Sequence, residues 1–150
     1  MLYFAYGSNL NHHQMENIRC IGSKYLKSFL LKDYKLIFCY PNKLNKFGYA
    51  NVIKKKGSKV NGAIWEITKK HEQILDNYEQ FPNIYQKEYF YLDGKKTMFY
   101  IMSKYFLKDP PKSYIDIINK GYEDCNIDFR INYRFKWLNL TLAQNQLLGL

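Results

Sequence analysis

The sequence has few cysteines, prolines and glycines. Its 150 residues include 3 Cys, 4 Pro and 8 Gly. An odd cysteine count without C-x-x-C spacing argues against both a disulfide framework and a cysteine zinc site. We therefore expect Cys20, Cys39 and Cys125 to be reduced thiols, mostly buried as small apolar side chains. Sparse glycine and proline also exclude a fibrous repeat or a low-complexity chain.

Membrane and export signals are missing as well. No apolar run approaches the roughly 20 residues that a membrane-spanning helix needs. Residues Met1–Tyr3 lack the basic start of a signal peptide, and no small-residue cleavage site follows them. We therefore expect a soluble, cytoplasmic protein without a membrane partner.

Arginine is scarce, although the net charge at pH 7 is +10. Only Arg19, Arg130 and Arg134 among 23 basic residues are arginine, the side chain best suited to phosphate recognition. The lysines are scattered through every segment, and the triplet Lys54–Lys56 is most simply a solvated turn. We therefore predict no nucleic-acid partner. The competing hypothesis, a lysine-based nucleic-acid-binding domain, requires binding that weakens steeply with salt.

Apolar residues make up 47% of the chain and aromatic residues 18%, which is ample for one packed core. Strands are predicted over residues 2–6, 25–31, 34–40, 49–53, 60–67, 84–92 and 97–102, with hairpin turns at 57–58 and 93–94. Helices are predicted over 11–19, 69–79, 113–121 and 129–140. The pattern indicates a single α+β domain over residues 1–143, built on a small curved or barrel-like sheet, with a tail at 144–150.

Several single residues mark where these elements begin, end or bend. Thr68 is a suitable N-cap for the second helix. Ser113 and Asp116 resemble a capping box at the start of the third, and Gly121 is expected to end it. Gly62 inside a strand indicates a bulge or a close backbone approach.

The N-terminal strand ends in a turn that could bind an anion. Leu2–Tyr6 is continuously apolar and aromatic, which suits a strand buried on both faces. Gly7, Ser8 and Asn9 follow, and a helix start is predicted after them. The backbone N–H groups of such a turn can form a concavity that prefers carboxylates, phosphates or oxyanions. A single glycine between a strand and a helix is equally compatible with a connection that has no further role.

Glu79 lies in the last turn of the second predicted helix, where a carboxylate faces unpaired carbonyl groups and the negative end of the helix dipole. Burial beside Tyr78 and Phe81 would raise its pKa further, toward the value of a useful general base. A solvent-exposed helix end without a role is the alternative for Glu79. Asp76, one turn earlier, is the competing carboxylate.

Other reactive side chains lack partners in the sequence. His12 and His13 have no carboxylate or cysteine at metal-ligand spacing, and His71 lies on a polar helix face, so all three are expected at the surface and no metal site is predicted. Ser8 lacks the G-x-S-x-G elbow of a nucleophile. Cys39, within an apolar strand, is expected in the core.

Three motifs together resemble the γ-glutamylcyclotransferase family, also called the AIG2-like superfamily. The first is Phe4–Leu10, whose sequence is FAYGSNL; the second is Leu75–Glu79, whose sequence is LDNYE, followed by Tyr85. The third is Pro110–Tyr114, a proline pair ahead of a tyrosine. They occur in the family's order and span most of the chain.

The resemblance implies a γ-glutamylcyclotransferase-like fold and a reaction that needs no cofactor. In that reaction the α-amino group of a γ-glutamyl substrate attacks its own γ-carbonyl, which forms 5-oxoproline and releases the second amino acid. Glu79 corresponds to the catalytic acid/base. The implied substrate-binding residues, which would hold the carbonyl oxygen or the α-carboxylate and close the pocket, are Tyr6, Gly7, Ser8, Asn9, Leu10, Tyr85 and Tyr114.

The first motif also bears on the substrate. Its Tyr-Gly-Ser-Asn-Leu form differs from the loops of the glutathione and γ-glutamylamine branches, so γ-glutamyl amino acids are the favoured substrates. A γ-glutamylamine cyclotransferase and a non-catalytic small-ligand binding protein are the alternatives. The expected partner is the small-molecule substrate, and the oligomeric state is left open between monomer and homodimer.

Overall fold

The computed structural model describes residues 1–132 of the chain. Six strands form one sheet: β1 (Leu2–Ala5), β2 (Lys24–Tyr40), β3 (Tyr49–Glu66), β4 (Gln86–Leu92), β5 (Lys95–Ile101) and β6 (Phe106–Leu107). Two α-helices accompany it, α1 (Lys69–Tyr78) and α2 (Lys112–Asp124). A 3₁₀ helix at Ser8–Leu10 and a π-helix at Gln14–Arg19 follow β1. The sheet is mixed and curled, with the order β4-β5-β1-β3-β2-β6, which confirms the predicted fold class.

Strand β1 is an interior strand of the sheet, between β5 and β3. It pairs antiparallel with β3, where Tyr3 lies opposite Trp65, and parallel with β5, where Tyr3 lies opposite Met98. All four of its residues are buried. A strand covered on both faces needs an unbroken apolar run, and β1 has one. The turn that follows packs against α2.

Strands β2 and β3 are longer than predicted. The two strands expected over residues 25–31 and 34–40 form one continuous strand, β2. The prediction of a hairpin turn at Gly57–Ser58 is wrong, because β3 continues through these residues. Asp33 and Gly57 both adopt left-handed backbone angles, with φ of 62° and 85°. The Gly57 N–H donates to the Asp33 carboxylate at 2.9 Å, so both strands bend together without ending. The register shifts at this point.

Gly62 has the close backbone approach that its position in a strand predicted. A Cβ atom at this residue would overlap the ring of Phe4 on the neighbouring strand β1. The Phe4 ring is fully buried, and edge-on contacts with Phe29, Phe90 and Phe99 surround it. Only glycine leaves room for this aromatic cluster beneath the β1–β3 pair.

Thr68 is the N-cap of helix α1, as predicted, but His71 is not a surface residue. The Thr68 side chain accepts from the His71 N–H at 3.2 Å, and the His71 Nδ1 accepts from the Thr68 N–H at 3.2 Å. The opposite ring nitrogen, Nε2, donates to the carbonyl of Ile21 at 2.9 Å. A histidine therefore completes the capping box, and both of its ring nitrogens are used in the fold. The prediction that His71 is exposed is wrong for this reason.

Both predicted ends of the third helix are also wrong. Helix α2 has Pro111 at its N-cap without a side-chain cap, and it continues through Gly121 to Asp124. A Cβ atom at Gly121 would lie 2.5 Å from the Leu10 Cβ and 2.7 Å from the Asn11 nitrogen. Gly121 thus serves close packing against the turn after β1 and does not stop the helix.

The β4–β5 hairpin is as predicted. Asp93 and Gly94 have φ of 48° and 76°, the left-handed pair that a type I′ turn requires.

Cys20, Cys39 and Cys125 are buried free thiols, as expected from the sequence. None of the helices between residues 1 and 132 has the length and apolar character needed to traverse a bilayer.

The last predicted helix lies mostly outside the described residues. Residues 129–132 are described and are not helical, whereas 133–140 and the predicted tail at 144–150 lie beyond them. The predicted domain boundary at residue 143 lies there as well.

Candidate active site

A pocket of about 380 Å³ opens where β1, the N-terminal turn, the end of α1 and the start of α2 meet. This volume is toward the small end of the range for small-molecule sites. Its wall is unusually rich in tyrosine, and the phenol rings come from separate parts of the chain: Tyr3, Tyr6, Tyr40, Tyr49, Tyr78, Tyr85, Tyr100 and Tyr114.

Glu79 reaches this pocket because of the way α1 ends. Gln80 has a left-handed φ of 49°, and its N–H donates to the Asn77 carbonyl at 3.2 Å. The Phe81 N–H donates to the Asp76 carbonyl at 2.9 Å. These two bonds form a Schellman motif, which satisfies the helix's last carbonyl groups and makes Glu79 the C-cap residue. The Glu79 side chain is thereby held at the pocket wall.

The Glu79 side chain is half-buried in the pocket wall and has no paired cation within residues 1–132. Burial raises its pKa to about 7, and the charge of Arg19 acts in the opposite direction. No ion pair within residues 1–132 involves Glu79. Its charge contributes in turn to the raised pKa values of five tyrosines, whose first cause is burial: Tyr3, Tyr6, Tyr85, Tyr100 and Tyr114.

Asp76, the competing carboxylate, is committed to other contacts. It pairs with Lys87 at 2.8 Å and accepts from the Tyr100 hydroxyl at 2.7 Å. Lys87 also pairs with Glu72 at 2.8 Å. This network fastens α1 to the β4–β5 hairpin, and Asp76 does not line the pocket. Of the two carboxylates, only Glu79 is available to a bound molecule.

The turn after β1 forms the opposite wall. Gly7 packs closely there, since a Cβ atom would lie 3.0 Å from the Ala50 Cβ and 3.1 Å from the Tyr114 hydroxyl. The Asn9 side chain donates to the Tyr3 hydroxyl at 3.0 Å. Gln14 donates to the Ser8 hydroxyl at 2.9 Å and to the Asn9 Oδ1 at 3.0 Å. The polar side chains of the turn are therefore held in fixed positions.

Tyr6, Tyr85 and Tyr114 meet at the base of the pocket. The Tyr6 hydroxyl donates to the Tyr100 carbonyl, and the Tyr85 hydroxyl donates to the Ala50 carbonyl at 2.7 Å. The Tyr114 hydroxyl instead accepts from the Ala50 N–H at 3.1 Å. Tyr6 and Tyr85 thus use their protons within the fold, whereas Tyr114 is held in place as an acceptor.

Most of the residues singled out in the sequence meet in this pocket, but Leu10 does not line it. Its side chain is fully buried against α2, and its N–H donates to the Gly7 carbonyl at 3.0 Å. Tyr6, Gly7, Ser8, Asn9, Glu79, Tyr85 and Tyr114 all line the pocket.

Sequence reasoning missed three polar residues of the wall, Gln14, Arg19 and Gln80. The Arg19 Nη1 donates to the Asn9 Oδ1 at 2.8 Å, and its guanidinium carbon lies 4.3 Å from the centre of the Tyr78 ring. The only signal in the sequence was an arginine close to the turn in a chain that otherwise uses lysine.

Metal ligands and reactive thiols are not found here. Within the described part of the chain, no three His, Cys, Asp or Glu side chains are close enough to hold a metal ion. Burial raises the pKa of the Cys39 thiol to about 12, so this thiol stays protonated in the core.

Comparisons with known proteins extend these observations. A model of the family described as gamma-glutamyl cyclotransferase, AIG2-like, matches residues 3–122. The search of curated proteins finds no match.

Solved structures share the fold. A structure named gamma-glutamyl cyclotransferase has a TM-score of 0.73 and 22% identity, covering 99% of this chain and 97% of that one. An uncharacterized protein from Homo sapiens has a TM-score of 0.72 and 25% identity, with 99% and 85% covered. YkqA from Bacillus subtilis has a TM-score of 0.68 and 18% identity, with 82% and 48% covered.

Proposed function

The chain belongs to the AIG2-like γ-glutamyl cyclotransferase family, and on that premise we propose that it is an enzyme acting on γ-glutamyl amino acids. The α-amino nitrogen of the substrate attacks its γ-carbonyl carbon and closes a five-membered ring. The bond from that carbon to the second amino acid's nitrogen breaks. The products are 5-oxoproline and the free amino acid. The α-ammonium group loses two protons as it becomes the ring N–H, and the leaving nitrogen gains two as it becomes an ammonium group.

The observation that carries this proposal is the unpaired, half-buried carboxylate of Glu79 in the pocket wall. A pKa of about 7 lets Glu79 accept a proton from the α-ammonium group and return it to the leaving nitrogen at neutral pH. One carboxylate between the two nitrogens serves both transfers. Proton transfer by a positioned side chain typically contributes about 10²–10⁴-fold in rate.

The tyrosines and the turn supply position and polarity. The attack is intramolecular, so most of the advantage comes from holding the substrate in a folded, reactive geometry. We propose that Tyr6 and Tyr85 contact the substrate and hold it in this geometry. Their hydroxyls are fixed by hydrogen bonds to main-chain carbonyls. We assign the hydrogen bond to the substrate's carbonyl oxygen or α-carboxylate to Tyr114. Its oxygen already accepts the Ala50 N–H, so its own proton is left for a bound molecule.

A matched pair of carboxylate variants tests the proposal. We expect the wild-type protein to release 5-oxoproline from γ-glutamyl dipeptides, in preference to glutathione and a γ-glutamylamine. Glu79→Gln should lose at least about 10²-fold in kcat while still binding the dipeptide. Asp76→Asn, one helical turn away, removes a carboxylate of the same helix that does not line the pocket.

The Asp76→Asn variant should keep most of the activity. Circular dichroism and thermal unfolding establish that each variant is folded. Dipeptide binding without turnover in the wild type would point to a non-catalytic ligand-binding protein, and a preference for the γ-glutamylamine would reassign the substrate class. Full activity in Glu79→Gln would refute the assigned base.

A further inference from the structure

Arg19 is a pocket residue that the proposed proton transfers do not use. No lysine or other arginine within residues 1–132 lines the pocket. No ion pair of this part of the chain involves Arg19. A cation on a concave wall with no carboxylate partner of its own is a site for an anionic group of the ligand.

The partners that hold Arg19 are neutral, so they fix its position without neutralising it. The Asn9 amide oxygen accepts from Nη1 at 2.8 Å, and the Tyr78 ring lies against the guanidinium at 4.3 Å. Asn9 is itself held by Gln14 and by Tyr3. A guanidinium has five N–H donors in a planar fork, of which one is used here, and the fork matches a carboxylate in bidentate geometry.

A γ-glutamyl amino acid carries two carboxylates, one on each side of the amide bond that breaks. The α-carboxylate belongs to the ring-forming half, and the second belongs to the amino acid that leaves. The position of Arg19 distinguishes them. Arg19 is half-buried, and its two partners differ: Asn9 is 3% exposed and Tyr78 is 49% exposed. Tyr6 and Tyr85, by comparison, are 6% and 8% exposed. The Arg19 side chain therefore lies between the buried turn and the exposed Tyr78 ring, nearer to solvent than Tyr6 and Tyr85. We place the departing half of the substrate on this more open side.

We propose that Arg19 binds the carboxylate of the leaving amino acid and so makes the pocket select γ-glutamyl amino acids over γ-glutamylamines. This inference rests on the proposed function, because it takes the ligand's chemistry from it. A γ-glutamylamine has no carboxylate on its leaving side and gains nothing from this contact.

Binding in a non-turning-over background tests the inference directly. Isothermal titration of the Glu79→Gln protein with γ-glutamylalanine and with γ-glutamylalaninamide compares two ligands that differ in one charge on the leaving side. We expect the acid to bind more tightly than the amide. Adding Arg19→Gln should weaken binding of the acid by about 10- to 100-fold, the usual size of a charge-assisted hydrogen bond, and leave the amide unchanged.

Two further variants separate a direct contact from a structural one. Arg19→Lys keeps the charge without the fork and should lie between wild type and Arg19→Gln for the acid. Arg130→Gln removes a surface arginine whose side chain is 70% exposed, and it should change neither affinity. Equal weakening of both ligands by Arg19→Gln would overturn the proposal, since a contact with the α-carboxylate or a merely structural role predicts that result.

Measuring 5-oxoproline formation by the wild-type protein alongside the titration shows which of the two claims fails, the proposed reaction or the carboxylate site. If no 5-oxoproline forms but the titration shows the Arg19-dependent preference, the proposed reaction fails and the carboxylate site stands. If 5-oxoproline forms from the acid and the amide equally well, in wild type and Arg19→Gln alike, the reaction stands and the carboxylate site fails. Absence of binding by either peptide overturns both.

Discussion

At Glu79, the burial that suits a general base also opposes folding. Its pKa is raised from 4.5 to about 7 in the folded protein. Below about pH 4.5 the carboxyl is protonated in both the folded and the unfolded chain, so burial has no ionisation cost. As the pH rises, the unfolded chain ionises first. The folded protein therefore loses stability up to about pH 7, by roughly 3 kcal/mol at most.

This linkage predicts that Glu79→Gln stabilises the protein at alkaline pH. The amide cannot ionise, so the free energy of unfolding of the variant minus that of the wild type should increase between pH 4.5 and pH 8. Urea unfolding at several pH values measures this difference. Glu66→Gln, which removes a carboxylate that is 53% exposed, is the control for loss of a surface charge. A difference that stays constant with pH would show that the folded protein does not raise the pKa of Glu79.

The two charged residues of the pocket differ in how far the sequence could predict them. Glu79 was predictable because its position at a helix end is a local property and its motif matched a family. Arg19 was not, because its place depends on how the π-helix folds back so that Asn9, ten positions earlier, can accept from its side chain. His71 was mispredicted for a similar reason, since Ile21, its ring's hydrogen-bond partner, is distant in sequence.

At the scale of elements, the turn after β1 depends on one face of α2. Leu10 and Asn11 lie against Gly121, the position at which the backbone of α2 has no side chain. Alanine has a higher helix propensity than glycine by about 1 kcal/mol, which would favour Gly121→Ala in an isolated helix. The clash with the Leu10 Cβ and the Asn11 backbone opposes this gain, because neither group is the flexible end of a side chain.

We therefore predict that Gly121→Ala destabilises the protein by about 1–3 kcal/mol, the usual cost of overpacking. It should also lower turnover, because the Gly7–Asn9 wall shifts with Leu10. Ser113→Ala on the exposed side of the same helix is the matched control, with a change in stability of at most a few tenths of a kcal/mol. Thermal unfolding and 5-oxoproline release measure both effects. An unchanged or raised melting temperature in Gly121→Ala would contradict the packing described here.

Elements whose signals are local were predicted well. The Thr68 cap, the Asp93–Gly94 turn and the α1 helix are encoded by neighbouring residues. The bend at Asp33 and Gly57 was misread as a turn because its cause is a hydrogen bond between residues 24 positions apart. Gly121 was misread as a stop for the same reason, since the residue that requires a glycine there is Leu10.

At the scale of the whole molecule, the +10 charge is the property without an assigned role. Lysines predominate and are scattered, and the pocket wall within residues 1–132 contains one cation. We predict that the protein does not bind nucleic acid tightly at physiological salt. Fluorescence anisotropy with single- and double-stranded oligonucleotides at about 50 and 200 mM salt measures this. Tight binding that falls steeply over this range would contradict the prediction.

The overall architecture could be predicted only in part. Composition and strand spacing indicated an α+β domain with a curved sheet, and the fold bears this out. The parallel pairing of β1 with β5 was not predictable, because it joins residues almost 100 positions apart through contacts that leave no periodic trace. That pairing places Tyr100 beside Tyr6 and so helps to form the pocket.

The pH dependence of kcat/KM for 5-oxoproline formation from γ-glutamylalanine tests the central claim most directly. The base must be ionised to accept the substrate's proton, so the rate should rise with pH through an apparent pKa near 7, which reports Glu79 in the free enzyme. This limb should disappear from any residual activity of Glu79→Gln. A midpoint near 4.5, or the same limb in the variant, would show that another group performs the proton transfer.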